Sequence, residues 1–186
     1  MTWELTQSLP VGGVLRTIHA DFRDVLEVIR RLGDDTKQGQ VRVYVALSLF
    51  YADFETIPEG CYQEAAERMA EFIAVGEQPD GKSHPKTIDW EQDHALIVSD
   101  INRVAGKEIR ALPFVHWWTF VAWFNAIGDG QLATVVSIRE KLRKGKKLSD
   151  WERGFYREHR SIIDFKTRYT QEELAERERL KKLLGE

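Results

Sequence analysis

Apolar residues along this chain recur mostly three, four and seven positions apart, the period of a helix that buries one face. Phe22, Val25, Leu26, Ile29 and Leu32 form the first stripe, with Asp21 placed as its N-cap and Gly33 as its stop. From Gln40, the run Val41 to Tyr51 is apolar enough for a buried helix. Its β-branched content also suits a strand, and its length favours the helix. Pro58 precedes a third helix with Ala65, Met69, Phe72 and Ile73 on one face, ending near Gly76, where a left-handed residue can close the last turn. Glu77 to Lys86, with Pro79, Asp80-Gly81 and Pro85, reads as a loop.

A fourth helix is expected from about Asp89 to about Gly106, with Trp90, Ile97, Ile101 and Val104 inward and Asp93 or His94 falling on the same stripe. After a break at Pro113, His116 to Ile127 is apolar almost all round, as in a helix packed on several sides. Leu132 to Arg143 gives a sixth helix, followed by a flexible basic link, Lys144 to Lys147. Ser149 with Glu152 three residues on matches a capping box, and Trp151, Phe155 and Ile162 are spaced as core positions of the helix it opens. Thr170 with Glu173 repeats that signature ahead of a charged helix, Glu172 to Leu184, whose few leucines bury little by themselves.

The first twenty residues depart from helical spacing. Trp3 to Thr6 and Val14 to Ile18 read as two short strands around Pro10 and Gly12-Gly13. The fold class that follows is mainly α: a compact multi-helix domain of seven or eight helices with a minor N-terminal β-hairpin, spanning residues 1–169, and a charged C-terminal helix or tail, 170–186. No apolar run reaches the length of a membrane span, and no basic segment with an apolar core opens the chain, so a cytoplasmic location is expected. The single cysteine, Cys61, excludes an internal disulfide and a cysteine-rich zinc site.

Charge sharpens this picture through its distribution. The chain's net charge is -3, yet residues 1–138 hold 20 acidic against 12 basic residues, while 139–160 hold nine basic against four acidic. An acidic body beside one basic segment suits head-to-tail self-association or an acidic partner, and equally a plain solvated helix face. Arg139, Lys141, Arg143, Lys144, Lys146 and Lys147 are the candidate partner-binding residues. With Trp151, Phe155 and Tyr156 interleaved, the segment also fits a nucleic-acid surface, a reading weakened by the acidity of the rest.

Candidate chemistry adds little. Asp89, Asp93, His94 and Asp100 include one imidazole and lack metal-ligand spacing, so polar contacts on a helix face explain them better than a metal does. His116 reads as a helix-end residue bonded to a backbone carbonyl, and Cys61 as an ordinary first-turn residue. Neither Gly12-Gly13 nor Gly128-Asp129-Gly130 has the spacing or context of a phosphate loop. No catalytic, cofactor or metal site is expected, and the chain reads as a binding protein rather than an enzyme.

The stretch His116-Trp117-Trp118-Thr119-Phe120, followed by Val135-Val136-Ser137-Ile138-Arg139, resembles a family of small proteins from long-tailed phages and prophages of Gram-positive bacteria. Asp21-Phe22-Arg23, Leu49-Phe50-Tyr51, Asp89-Trp90-Glu91-Gln92-Asp93, and Gly145-Lys146-Lys147-Leu148 ahead of Trp151-Glu152 and Phe155-Tyr156 extend the resemblance from about residue 15 to 165. Members are encoded between the major tail protein and the tape-measure protein. The resemblance implies a non-enzymatic tail-assembly chaperone that binds the tape-measure protein and leaves as tail-tube subunits polymerise. A head-to-tail connector or minor virion component is the alternative, and a nucleic-acid-binding module the third. His116, Trp117, Trp118, Phe120, Trp123 and Phe124, the motif with its aromatic continuation, are expected in the core, since together they cover all sides of a helix. The charged tail after Thr170 lies outside the resemblance.

Overall fold

A computed structural model describes residues 4–34, 36–75 and 85–166, together with Glu176 and Arg179. The expected loop from Glu77 to Lys86 falls mostly outside these residues, as do the Thr170–Glu173 signature and nearly all of the last helix. Eight α-helices and one two-stranded antiparallel hairpin are found among the described residues, so the fold is mainly helical with a minor N-terminal β element.

The hairpin pairs β1 (Ser8–Val11) with β2 (Val14–Thr17). The first strand thus lies later than Trp3 to Thr6, because Gly12 (φ 59) and Gly13 (φ 75) alone make the turn and bring Val11 opposite Val14. That register puts Pro10 inside the strand, opposite Leu15, in the pair next to the turn-closing one, where its missing N–H costs no ladder bond.

Beyond β2 the chain stays extended and ties three parts of the fold together. His19 N–H donates to the Phe50 carbonyl at 2.8 Å and Ala52 N–H to that of Thr17 at 3.0 Å. Phe22 N–H donates to the Val115 carbonyl at 2.9 Å and Trp117 N–H to that of Ala20 at 2.8 Å. Isolated bridges therefore join Ile18 to Tyr51 and Asp21 to His116.

Helix α1 (Phe22–Leu32) starts where Asp21 caps it, its carboxylate accepting from Arg23 N–H, and buries Phe22, Val25 and Val28. Helix α2 (Gly39–Phe50) settles the helix-or-strand ambiguity and buries Ala46, Leu47 and Phe50. Helix α3 (Tyr62–Ile73) follows a 3-10 turn, Glu59–Cys61, after Pro58. Val75 takes the left-handed conformation there (φ 56), and Gly76 lies outside the described residues.

Helix α4 (His94–Ala105) begins five residues later than expected. The Asp89 carboxylate accepts the N–H groups of Glu91 and Gln92, and that of Asp93 accepts Asp89 N–H, so residues 89–93 close into a side-chain-bonded turn instead of a first helical turn. Gly106 ends α4 in the left-handed conformation, φ 67.

Helix α5 (Trp117–Asn125) is capped by His116. Helix α6 (Gln131–Arg143) receives its cap from another helix: the Asp100 carboxylate accepts Leu132 N–H at 3.2 Å, which brings it against Gly130. The Lys144 to Lys147 link is a defined turn, with Gly145 (φ 62) donating to the Leu142 carbonyl and Lys146 N–H to that of Lys141.

Ser149 and Glu152 form the complete capping box of α7 (Asp150–Glu158), and α8 (Arg160–Ile163) follows at once. The expected buried stripe of Trp151, Phe155 and Ile162 does not form. His159 breaks the helix (φ -116, ψ 24), which shifts the phase so that Ile163 is buried and Ile162 is 39% exposed; Trp151, in the first turn of α7, is 63% exposed.

The main core runs from Val11 to Leu132 and stacks the rings of Phe22 and Phe120 at 4.7 Å. A smaller core of Val135, Ile138 and Ile163 joins α6 to α8, with Leu96 of α4 packed against both.

Candidate protein-interaction surface

Most residues singled out in the sequence serve as internal ties. Asp21 holds Arg23 through two side-chain hydrogen bonds of 2.7 and 2.8 Å and accepts Val115 N–H at 2.9 Å. Burial pushes the Asp21 carboxyl up, but these donors outweigh it and hold it below the usual range. The Arg23 guanidinium goes on to the carbonyls of Leu112 and Pro113. His116, 2% exposed, uses both ring nitrogens: Nδ1 accepts Trp118 N–H at 3.1 Å, so the proton sits on Nε2, which donates to the Thr6 carbonyl at 2.8 Å. Trp117 and Phe120 are buried, and Trp118, Trp123 and Phe124 are half-buried against the main core. Both indole N–H groups of the tryptophan pair close α3, Trp117 on the Ile73 carbonyl and Trp118 on that of Phe72.

A second tie centres on Asp93, fully buried, and Arg139, 6% exposed. Two hydrogen bonds of 2.6 and 2.9 Å join the pair. The same guanidinium donates to the carbonyls of Ile163, Ile162 and Thr87 and lies 4.1 Å from the centre of the Phe165 ring. Gln92 works alongside, donating to the Ile162 and Asp164 carbonyls and accepting Lys166 N–H. Arg139 therefore spends its charge inside the molecule, which removes it from the candidate partner-binding set, since a surface contact needs an accessible guanidinium.

Of the other basic candidates, Lys141 pairs with Glu152 and Lys144 with Glu140. The Lys141 hydrogen bond, helped by Ser149 N–H, holds the Glu152 carboxyl at about 2. Arg143, Lys146 and Lys147 are exposed and make no ion pair among the described residues. Exposed Leu142 and Trp151 belong to the same corner, and the Trp151 ring stacks on Phe155 at 5.4 Å.

The acidic residues of the turn before α4 do not converge on a metal. No group of three His, Cys, Asp or Glu side chains among the described residues is placed to hold one. Asp89 instead pairs with Lys86 at 2.6 Å, and His94 Nδ1 lies 3.1 Å from the Glu91 carbonyl. Cys61 is half-buried beside the Gly12 turn. No helix among the described residues is long and apolar enough to cross a membrane.

An apolar groove of about 940 Å³ lies between α2 and α3. Its origin is local. Helix α2 carries apolar residues on more than one face, so after Ala46, Leu47 and Phe50 are buried, Val41 (47% exposed) and Tyr44 (53%) are left facing solvent. Gly39, Ala66 and Ala70 line the opening with small side chains that leave the space open. The Tyr44 ring meets those of Phe54 and Tyr62 edge-on, at 5.1 and 6.1 Å, and Glu67 supplies negative charge. Exposed apolar surface of this kind is the usual setting for contact with the apolar face of a helix.

Sequence reasoning placed α2 but missed the groove, and it missed the Arg139–Asp93 pair. The signal for the pair was available: Asp93 lies four and eight residues before the buried Ile97 and Ile101, and Arg139 four after the buried Val135, so each charge occupies an apolar stripe and needs the other.

A family model described as Bacteriophage Gp15 protein matches residues 2–165. No curated protein and no solved structure matches the chain.

Proposed function

Since the chain belongs to the bacteriophage Gp15 protein family, we propose that it acts in phage assembly as a non-enzymatic tail-assembly chaperone in the host cytoplasm. Its client is the tape-measure protein, a long helical polypeptide whose apolar faces need cover until the tail tube forms around it. The supporting observation is the uncovered groove of about 940 Å³ between α2 and α3, apolar along Val41, Tyr44 and Ala66. His116 caps α5 and Asp93 holds Arg139.

Co-expression with the tape-measure protein tests this reading. A soluble complex that forms only when this chain is present, and that Ala70→Trp in the groove disrupts, is the expected result. An insoluble client that never associates would sink the chaperone reading, and recovery of the chain from purified virions would replace it with the connector.

A further inference from the structure

The groove has a counterpart elsewhere on the same chain. Helix α3 carries three acidic side chains, Glu64, Glu67 and Glu71, against one basic, Arg68, a net charge of -2, and Glu67 lines the groove itself. Residues 140–160, which leave out the inward-turned Arg139, carry eight basic side chains against four acidic, a net charge of +4. Each charged surface bears uncovered apolar area: Tyr44 and Val41 at the groove, Trp151 and Leu142 at the basic corner. Trp151, 63% exposed in the first turn of α7, stands on the rings of Phe155 and then His159, at 5.4 and 4.3 Å, so its indole is backed rather than free to fold away. A large exposed aromatic with a fixed support has the chemistry of an interface anchor.

From this complementarity we infer that the groove between α2 and α3 receives the basic corner of a second copy of this chain, with Trp151 entering the groove and Lys146 and Lys147 facing the Glu67 side of its rim. The two surfaces share no residue, so the contact is head-to-tail: each copy offers one knob and one groove, and the assembly stays open unless its rotation closes a ring. Charge sets orientation and encounter rate, while the indole supplies most of the hold. The contact does not depend on the chaperone reading. Where both hold, client helix and second copy compete for one groove, which keeps the apolar surface covered before a client arrives.

Sedimentation velocity of the full chain at about 0.05 M and 0.5 M salt reads the contact, with the larger species shrinking as the rim charges are screened. Trp151→Ala, an exposed position, is expected to weaken self-association about thirtyfold. Ala70→Trp, which fills the groove from an exposed helix site, is expected to do the same. Mixing those two variants separates a head-to-tail contact from any other, since one retains a groove and the other a knob. They are expected to form a one-to-one dimer that grows no further. A parent chain that stays monomeric at low salt overturns the inference, as does a mixture that stays monomeric or variants that associate like the parent; a lost tape-measure complex with this pattern intact touches only the chaperone reading.

Discussion

Replacing Arg139 by Met removes a charge that holds three separate parts of the fold. The guanidinium gives two hydrogen bonds to Asp93 and three to the carbonyls of Thr87, Ile162 and Ile163, and both charged side chains are at most 5% exposed. Removing one member of a buried ion pair costs about 3 to 5 kcal/mol, because the other charge stays behind without a partner. Buried carbonyls left without donors cost about 1 to 3 kcal/mol each, although those near α8 can recover water as the chain relaxes. A total of about 4 to 8 kcal/mol follows, a large part of the roughly 5 to 15 kcal/mol of a whole domain. Urea unfolding followed by circular dichroism and tryptophan fluorescence measures it, with a melting temperature roughly 10 to 20 °C lower. Asp93→Leu alone should cost a similar amount, and the double variant less than the sum by at least about 2 kcal/mol, because two apolar side chains fill the site without an orphaned charge. An Arg139→Met variant within about 1 kcal/mol of the parent would refute the claim that this pair joins α4, α6 and α8.

Three further outcomes can be checked in the same unfolding assay. Asp89 is 6% exposed; burial raises its carboxyl, yet Lys86 and the N–H groups of Gln92 and Glu91 bring it from 3.8 to about 2. Its folded form binds protons less readily than the unfolded chain, so its contribution of about 2 kcal/mol is complete above pH 4 or so and is lost as the pH falls toward 2. Asp89→Asn should remove that part of the acid dependence, and an unchanged acid profile would count against it. Gly130→Ala would set a Cβ 2.6 Å from Asp100 Oδ2, pushing the carboxylate off Leu132 N–H, with an expected cost of about 2 kcal/mol from the lost cap and the strain; a neutral change would show that Asp100 does not cap α6. Phe120→Ala should cost about 3 to 5 kcal/mol, since its ring is 1% exposed and packs on Phe22, Trp117 and Trp90, and a normal melting temperature would contradict its place in the core.

Helix existence was legible where a single stripe decided it. Asp21 and Gly33 bounded α1, Gly106 ended α4 and the Ser149–Glu152 box opened α7, because caps are local chemistry that sequence spacing exposes. Boundaries moved where side chains competed with the helix. Asp89 and Asp93 bond the backbone of their own turn and delay α4, and the break at His159 changes which isoleucine faces inward. The hairpin register was set by a two-glycine turn, whereas the apolar residues nearer the N-terminus had suggested an earlier strand. At the candidate surface, the basic cluster was readable as charge but not as direction. Spacing places Arg139 on the Val135 stripe, but its partner is a carboxylate 46 residues away, and the sequence does not show that the two meet while Lys146 and Lys147 stay out.

Within the stretches that resemble the phage family, the side chains that hold the fold and those that face solvent are different sets. Asp21, Phe22, Gln92, Asp93, Trp117 and Arg139 all point their side chains into ties or cores of this fold. Altering them changes stability first, so a loss of binding in such variants says little about where a partner sits. Lys146, Lys147 and Trp151 belong to the same stretches of resemblance, yet they are exposed, and neither lysine makes an ion pair among the described residues. The free energy of folding depends weakly on such positions, whereas association depends on them directly. A variant set that separates the two quantities, association lost at Trp151 with stability kept and stability lost at Arg139, follows from where each side chain faces. That division follows from where the aromatic and basic residues face: some hold the helices together, and others form an exposed surface that is both charged and apolar.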